Sequence, residues 1–64
     1  MSEKITFLIT QASEEKKYDV VLSIAADNIE YLAENELNIA IRSAYELKNF
    51  DIALDFSTHA HRKY

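Results

Sequence analysis

A chain of 64 residues allows one domain (1–64), and a domain of that size buries only about 60% of the surface its unfolded chain exposes, so the core is small. With no Cys, no Gly and no Pro, the sequence excludes disulfide staples, phosphate-cradling glycine loops, dinucleotide fingerprints and the glycine-centred calcium loop. A net charge of −4 disfavours nucleic acid and phospholipid as partners, and no apolar run reaches the roughly 20 residues of a membrane span. The expected location is therefore the cytoplasm.

A hydrophobic share of 48% separates the chain from disordered sequences and predicts a folded domain. In chain order, residues 4–10 read as a first strand, with Ile5, Phe7 and Ile9 alternating against Thr6, Leu8 and Thr10. The polar stretch from Gln11 to Lys17 reads as a connection. Residues 18–25 read as a second strand, because Tyr18, Val20, Leu22 and Ile24 alternate and would scatter with Val21 around a helix. The period then lengthens. Ile29, Leu32, Ala33, Leu37, Ala40, Ile41, Ala44 and Leu47 recur at three- and four-residue steps, which predicts a helix over residues 28–48. Asp27 with Glu30 reads as its N-terminal capping pair, and Lys48 and Asn49 as its stop.

The third predicted strand spans residues 50–57, where Phe50, Ile52, Leu54 and Phe56 alternate with Asp51, Ala53, Asp55 and Ser57. Residues 58–64 read as a strand extension or a frayed tail. A helical reading competes here. Lys48-Asn49-Phe50-Asp51 followed by Ala53-Leu54 resembles the second helix of a tetratricopeptide repeat, and Lys17-Tyr18-Asp19 stands 32 residues earlier. The turn glycine and terminal proline of that family are absent, and Phe50 to Phe56 would spread around a helix, so the alternating strand is preferred.

The expected fold is thus α+β: a ββαβ chain forming a three-stranded antiparallel sheet of order 2-1-3, packed on one amphipathic helix. The helix would cover Phe50, Ile52, Leu54 and Phe56. The uncovered sheet face would carry Leu8 from the first strand, Asp19, Val21 and Ser23 from the second, and Asp51, Ala53 and Asp55 from the third. These seven residues, with Tyr31 projecting from the helix, are the candidate protein-binding residues. Strand two would be an edge with few charges to deter pairing by another chain.

No chemistry-bearing motif accompanies that face, so catalytic, cofactor and metal sites are each expected to be none. Asp51 and Asp55 would lie roughly 13 Å apart on a strand, too far for paired-carboxylate catalysis. His59 and His61 would share a side of an extended strand, but no third ligand accompanies them. Glu36 is expected at the shoulder of the helix, reaching water.

The functional expectation is a small acidic protein-binding module, an inhibitor or regulator without enzymatic activity, whose partner is another protein. The alternatives are a homo-oligomeric structural module, in the simplest case a homodimer, and a nucleic-acid-binding or DNA-mimicking protein. In architecture, three strands, one helix and an acidic surface, the expected fold resembles the short phage-encoded inhibitors of host enzymes such as bacterial RNA polymerase. Fold analogy alone does not carry function.

Overall fold

The residues that fill the core recur at helical spacing in every segment. Ile5, Ile9 and Ala12, then Val21, Leu22 and Ala25, then Leu37, Ala40 and Ala44, then Ala53, Phe56 and Ala60 each fall on one face of a helix, and all belong to one packed cluster. The computed structural model describes residues 2–64, with side chains from residue 4 onward. It places four helices in order: α1 (Ser2–Glu14), α2 (Tyr18–Asp27), α3 (Glu34–Glu46) and α4 (Phe50–Lys63), with a 3-10 turn at Ile29–Tyr31.

The described residues are 84% helical and contain no strand. The α+β fold, its order 2-1-3 sheet and its uncovered sheet face are therefore corrected to a bundle of four helices. Residues 4–10, 18–25 and 50–57 are all helical. The predicted helix over 28–48 is divided: Asp27 ends α2 instead of capping a new helix, the 3-10 turn follows, and α3 starts only at Glu34. The polar stretch from Gln11 belongs to the last turn of α1 and the link after it.

Apolar residues at alternate positions predict the strands, a signal that tertiary packing overrides. Wound at 100° per residue, Phe50 and Leu54 fall about 40° apart on one flank of α4, and Ile52 and Phe56 fall about 40° apart on another. Ala53 lies between the two flanks and is buried. Two apolar flanks on one helix imitate the two-residue period of a strand.

The helical alternative suggested by the tetratricopeptide resemblance is the one realised. The start of α3 follows that of α1 by 32 residues, and the start of α4 follows that of α2 by the same interval. Ile9/Ile41, Ala12/Ala44, Glu14/Glu46, Lys16/Lys48, Asp19/Asp51 and Leu22/Leu54 are identical at that offset. The turns inside the two hairpins repeat as well. Lys16 donates its N–H to the Ser13 carbonyl (3.0 Å) and Lys17 to that of Ala12 (2.8 Å), while Lys48 donates to Tyr45 (2.9 Å) and Asn49 to Ala44 (2.8 Å). This is a Schellman closure, with Lys16 and Lys48 in the left-handed region at φ 59° and 58°. Lys48 thus ends α3. Asn49, expected to do so, instead caps α4 through Oδ1, which accepts from the Ile52 N–H at 3.4 Å.

The two hairpins, α1/α2 and α3/α4, join through α3, which packs against α1, α2 and α4. Glu36 sits at this joint and is buried, contrary to the expected solvent-reaching shoulder. Its Oε1 accepts the N–H of Ala33 at the start of α3 (2.8 Å), and its Oε2 accepts the hydroxyl of Thr6 from α1. Glu36 supplies one arm of a capping box; Ala33 has no side-chain acceptor for the other. The carboxylate therefore closes α3 and ties it to the opposite hairpin.

The last residues are not a frayed tail. Residues 58–63 complete α4, and Tyr64 donates its hydroxyl to the Leu32 carbonyl at 2.8 Å. Lys63 donates to the carbonyls of Glu30 (2.8 Å) and Leu32 (3.2 Å). These bonds satisfy carbonyls in the link between the hairpins, where the fully buried Leu32 anchors the chain to the core.

Candidate interaction faces

The bundle buries its small residues at the helix contacts and leaves several of its largest apolar side chains outside. Ala25, Ala40, Ala44 and Ala53 are buried, whereas Phe7, Tyr31, Tyr45, Phe50 and Leu54 are all more than half exposed. Small residues allow the helices to approach closely; the large ones await something else to cover them.

Two places bring several of the exposed apolar groups together. On α4, Phe50 and Leu54 stand one turn apart, and the ring of Phe50 lies against that of Tyr45 at the end of α3, 5.9 Å between centroids with a tilt of 56°. Leu47, in the turn between these helices, is also exposed. The tilted ring pair costs little entropy to present, since each ring is held by its neighbour.

On the opposite hairpin, α1 and α2 diverge around an open groove of about 400 Å³ with Ala12 in its lining. Leu8, Val20 and Ile24 supply apolar walls, and Gln11, Glu15 and Lys17 supply polar groups at its edges. Glu15 and Lys17 form an ion pair of 3.0 Å that is largely exposed, so it orders the rim without adding much stability.

The structure separates the residues that were expected to share one sheet face. Leu8 lines the groove. Val21 and Ala53 are core residues with essentially no exposed surface. Asp19 and Ser23 are exposed one turn apart on α2, and Asp51 and Asp55 occupy the corresponding positions on α4. Tyr31 is exposed in the 3-10 turn between the hairpins. Val20, Ile24, Phe50 and Leu54, which alternating strands would turn beneath the helix, stand on these faces instead, together with Tyr45.

Helical winding also changes the chemistry of the polar groups. Asp51 and Asp55 come within one turn of each other, but both are exposed to water. His59 and His61 fall on different sides of α4, about 160° apart, so they cannot share a ligand as they would on a strand. His59 Nε2 is buried without a hydrogen-bond partner. Among the described residues, no group of three His, Cys, Asp or Glu side chains is placed to hold a metal ion, and no helix is long and apolar enough to cross a membrane. The chain matches no family model, no curated protein and no solved structure.

Proposed function

We propose that this chain is a non-catalytic protein-binding module that recognises an amphipathic helix through its uncovered hairpin faces. The observation that carries this reading is the contiguous apolar surface of Tyr45, Phe50 and Leu54, all more than half exposed in a domain whose core is already closed. Water contact at such a patch is unfavourable by roughly 25 cal/mol for each Å² that a partner would cover. The ridge of Phe50 and Leu54 has the i, i+4 spacing that meshes with apolar residues of another helix. An inhibitory or regulatory role would follow from occupancy: the module would mask the partner's own apolar surface. The likeness to phage-encoded inhibitors depended on a three-stranded sheet and lapses with it.

Selection of displayed amphipathic helical peptides on the purified protein tests this reading. Enriched peptides should carry leucine or aromatic residues at three- and four-residue steps, and their affinity should fall at least about tenfold on Leu54→Glu, the loss expected when a charge must be buried at a small apolar contact. Asp19→Ala, on the polar side of α2, should leave binding unchanged. Failure to enrich any such peptide, or equal binding to the Leu54→Glu variant, refutes it.

A further inference from the structure

The internal 32-residue repeat allows each position in one hairpin to be compared with its counterpart in the other, and burial differs between them in a regular way. Leu22 is 7% exposed, whereas its counterpart Leu54 is 66% exposed. Tyr18 is half-buried and Phe50 exposed; Ser13 is half-buried and Tyr45 exposed. In the other direction, Leu8 and Gln11 are exposed while Ala40 and Ser43 are buried, and Ile24 is half-buried while Phe56 is buried. Each hairpin therefore has two distinct sides. The side bearing Leu22 on the first hairpin meets the side bearing Ala40 and Phe56 on the second, through the packing of α3 on α1 and α2. What remains open is the groove side of the first hairpin and the Leu54 side of the second, the two complementary halves of the same type of joint.

The geometry points to a second copy of this chain as the occupant: the Leu54 side of one copy docks in the Leu8–Val20–Ile24 groove of the next, continuing the hairpin stacking already present within the chain. This assignment rests on the protein-binding reading and names its partner. The internal joint supplies the pattern. Leucine is retained at position 54 as at 22, an aromatic ring is retained at 50 as at 18, and the groove that would receive them has apolar walls. The polar contact of the internal joint has an analogue too. Thr6 and Glu36, hydrogen-bonded across it, correspond to Asn38 and Lys4, so an amide oxygen would face an ammonium between copies. The new joint is bulkier, with Leu8 in place of Ala40 and Tyr45 in place of Ser13, so it does not reproduce the internal spacing. Because the two sides differ, the contact is heterologous and each added copy exposes a fresh groove or a fresh ridge.

Sedimentation velocity of the 64-residue chain and two charge variants tests the proposal, up to about 1 mM, the scale of effective concentration that a short linker gives two joined hairpins. The wild-type mass should rise with concentration past that of a dimer. Leu54→Glu, which blocks the ridge, and Leu8→Glu, which blocks the groove, should each be monomeric with wild-type helicity, since both side chains are exposed. Mixed in equal amounts they should form a one-to-one dimer and stop, because each retains the half its partner lacks. A wild-type monomer at the highest concentration, a failure of the mixture to associate, or dimerisation of either variant alone would overturn the proposal. Helical peptides that still bind through Leu54 in a strictly monomeric wild type would remove the second copy and leave the protein-binding reading standing.

Discussion

Replacing Leu22 and Leu54 separately by alanine compares one side chain at two equivalent positions. Leu22 is 7% exposed and Leu54 66% exposed, so Leu22→Ala removes apolar atoms from the core while Leu54→Ala removes them mainly from water. A buried leucine truncated to alanine costs about 2–5 kcal/mol through lost transfer energy and the cavity left behind. An exposed change of this kind stays within about 0.5 kcal/mol, and alanine's higher helix propensity offsets part of it. At about 0.05–0.15 kcal/mol per residue, a chain of 64 residues has a total stability of roughly 3–10 kcal/mol, so Leu22→Ala should remove about a fifth of it or more. Each kcal/mol corresponds to about 4–8 °C in Tm for a domain of this size. Thermal and urea unfolding followed by far-UV circular dichroism, at low concentration to keep copies apart, should place the Leu22→Ala midpoint more than about 8 °C below wild type and the Leu54→Ala midpoint within a few degrees of it. In a ββαβ fold both leucines would lie beneath the helix and the losses would match. Equal destabilisation by the two variants would refute the hairpin arrangement.

Three further substitutions address the joints and turns. Glu36→Ala removes the acceptor for the Ala33 N–H and for the Thr6 hydroxyl in a buried place and should lower unfolding free energy by about 1–3 kcal/mol in urea titration, whereas Glu36→Gln, which keeps one acceptor, should lose less. A loss under about 0.5 kcal/mol for Glu36→Ala would show that the buried carboxylate does not join the hairpins. Lys48→Gly, at φ 58°, relieves the left-handed conformation and should raise stability by up to about 1 kcal/mol, a gain seen as a higher Tm and repeated by Lys16→Gly at φ 59°. A lower Tm in both would contradict the Schellman closure. Tyr64→Phe deletes the bond to the Leu32 carbonyl and should cost about 1 kcal/mol, with faster hydrogen exchange in the last turn of α4; unchanged exchange there would mean that this end is not docked.

How far the sequence discloses this fold depends on how many neighbours each helix has. The three- and four-residue steps of Leu37, Ala40, Ile41 and Ala44 identify α3 correctly, because α3 sits among the other helices and buries a continuous stripe. Its start is misread, since Ile29, Leu32 and Ala33 continue the same spacing across a 3-10 turn and an extended link. For α1, the stripe Ile5, Ile9 and Ala12 is present, but the exposed Phe7 and Leu8 mask it by adding apolar residues on the solvent side. The recurrence of Tyr18-Asp19 as Phe50-Asp51 at an interval of 32 residues is the signal that favours paired helices, and it is visible without a structure; the missing turn glycine counts against it only on a family's pattern, since the turns here are closed by Lys16 and Lys48 instead.

The Phe50 to Phe56 alternation has a physical meaning on a helix that it lacks on a strand. Ile52 and Phe56 turn toward the packed side of α4, with Phe56 buried, while Phe50 and Leu54 turn to an exposed flank. A helix in an isolated bundle needs only one apolar stripe, and a second stripe carries a cost in solubility unless something covers it. On α2 the equivalent second flank is covered, since Leu22 lies under the following hairpin. The apolar arc of α4 is therefore as wide as a helix requires when it stands between two neighbours, and among the described residues α3 is the one helix that packs extensively against it. The feature that disguises α4 as a strand is the same feature that marks its free side as a surface for another helix.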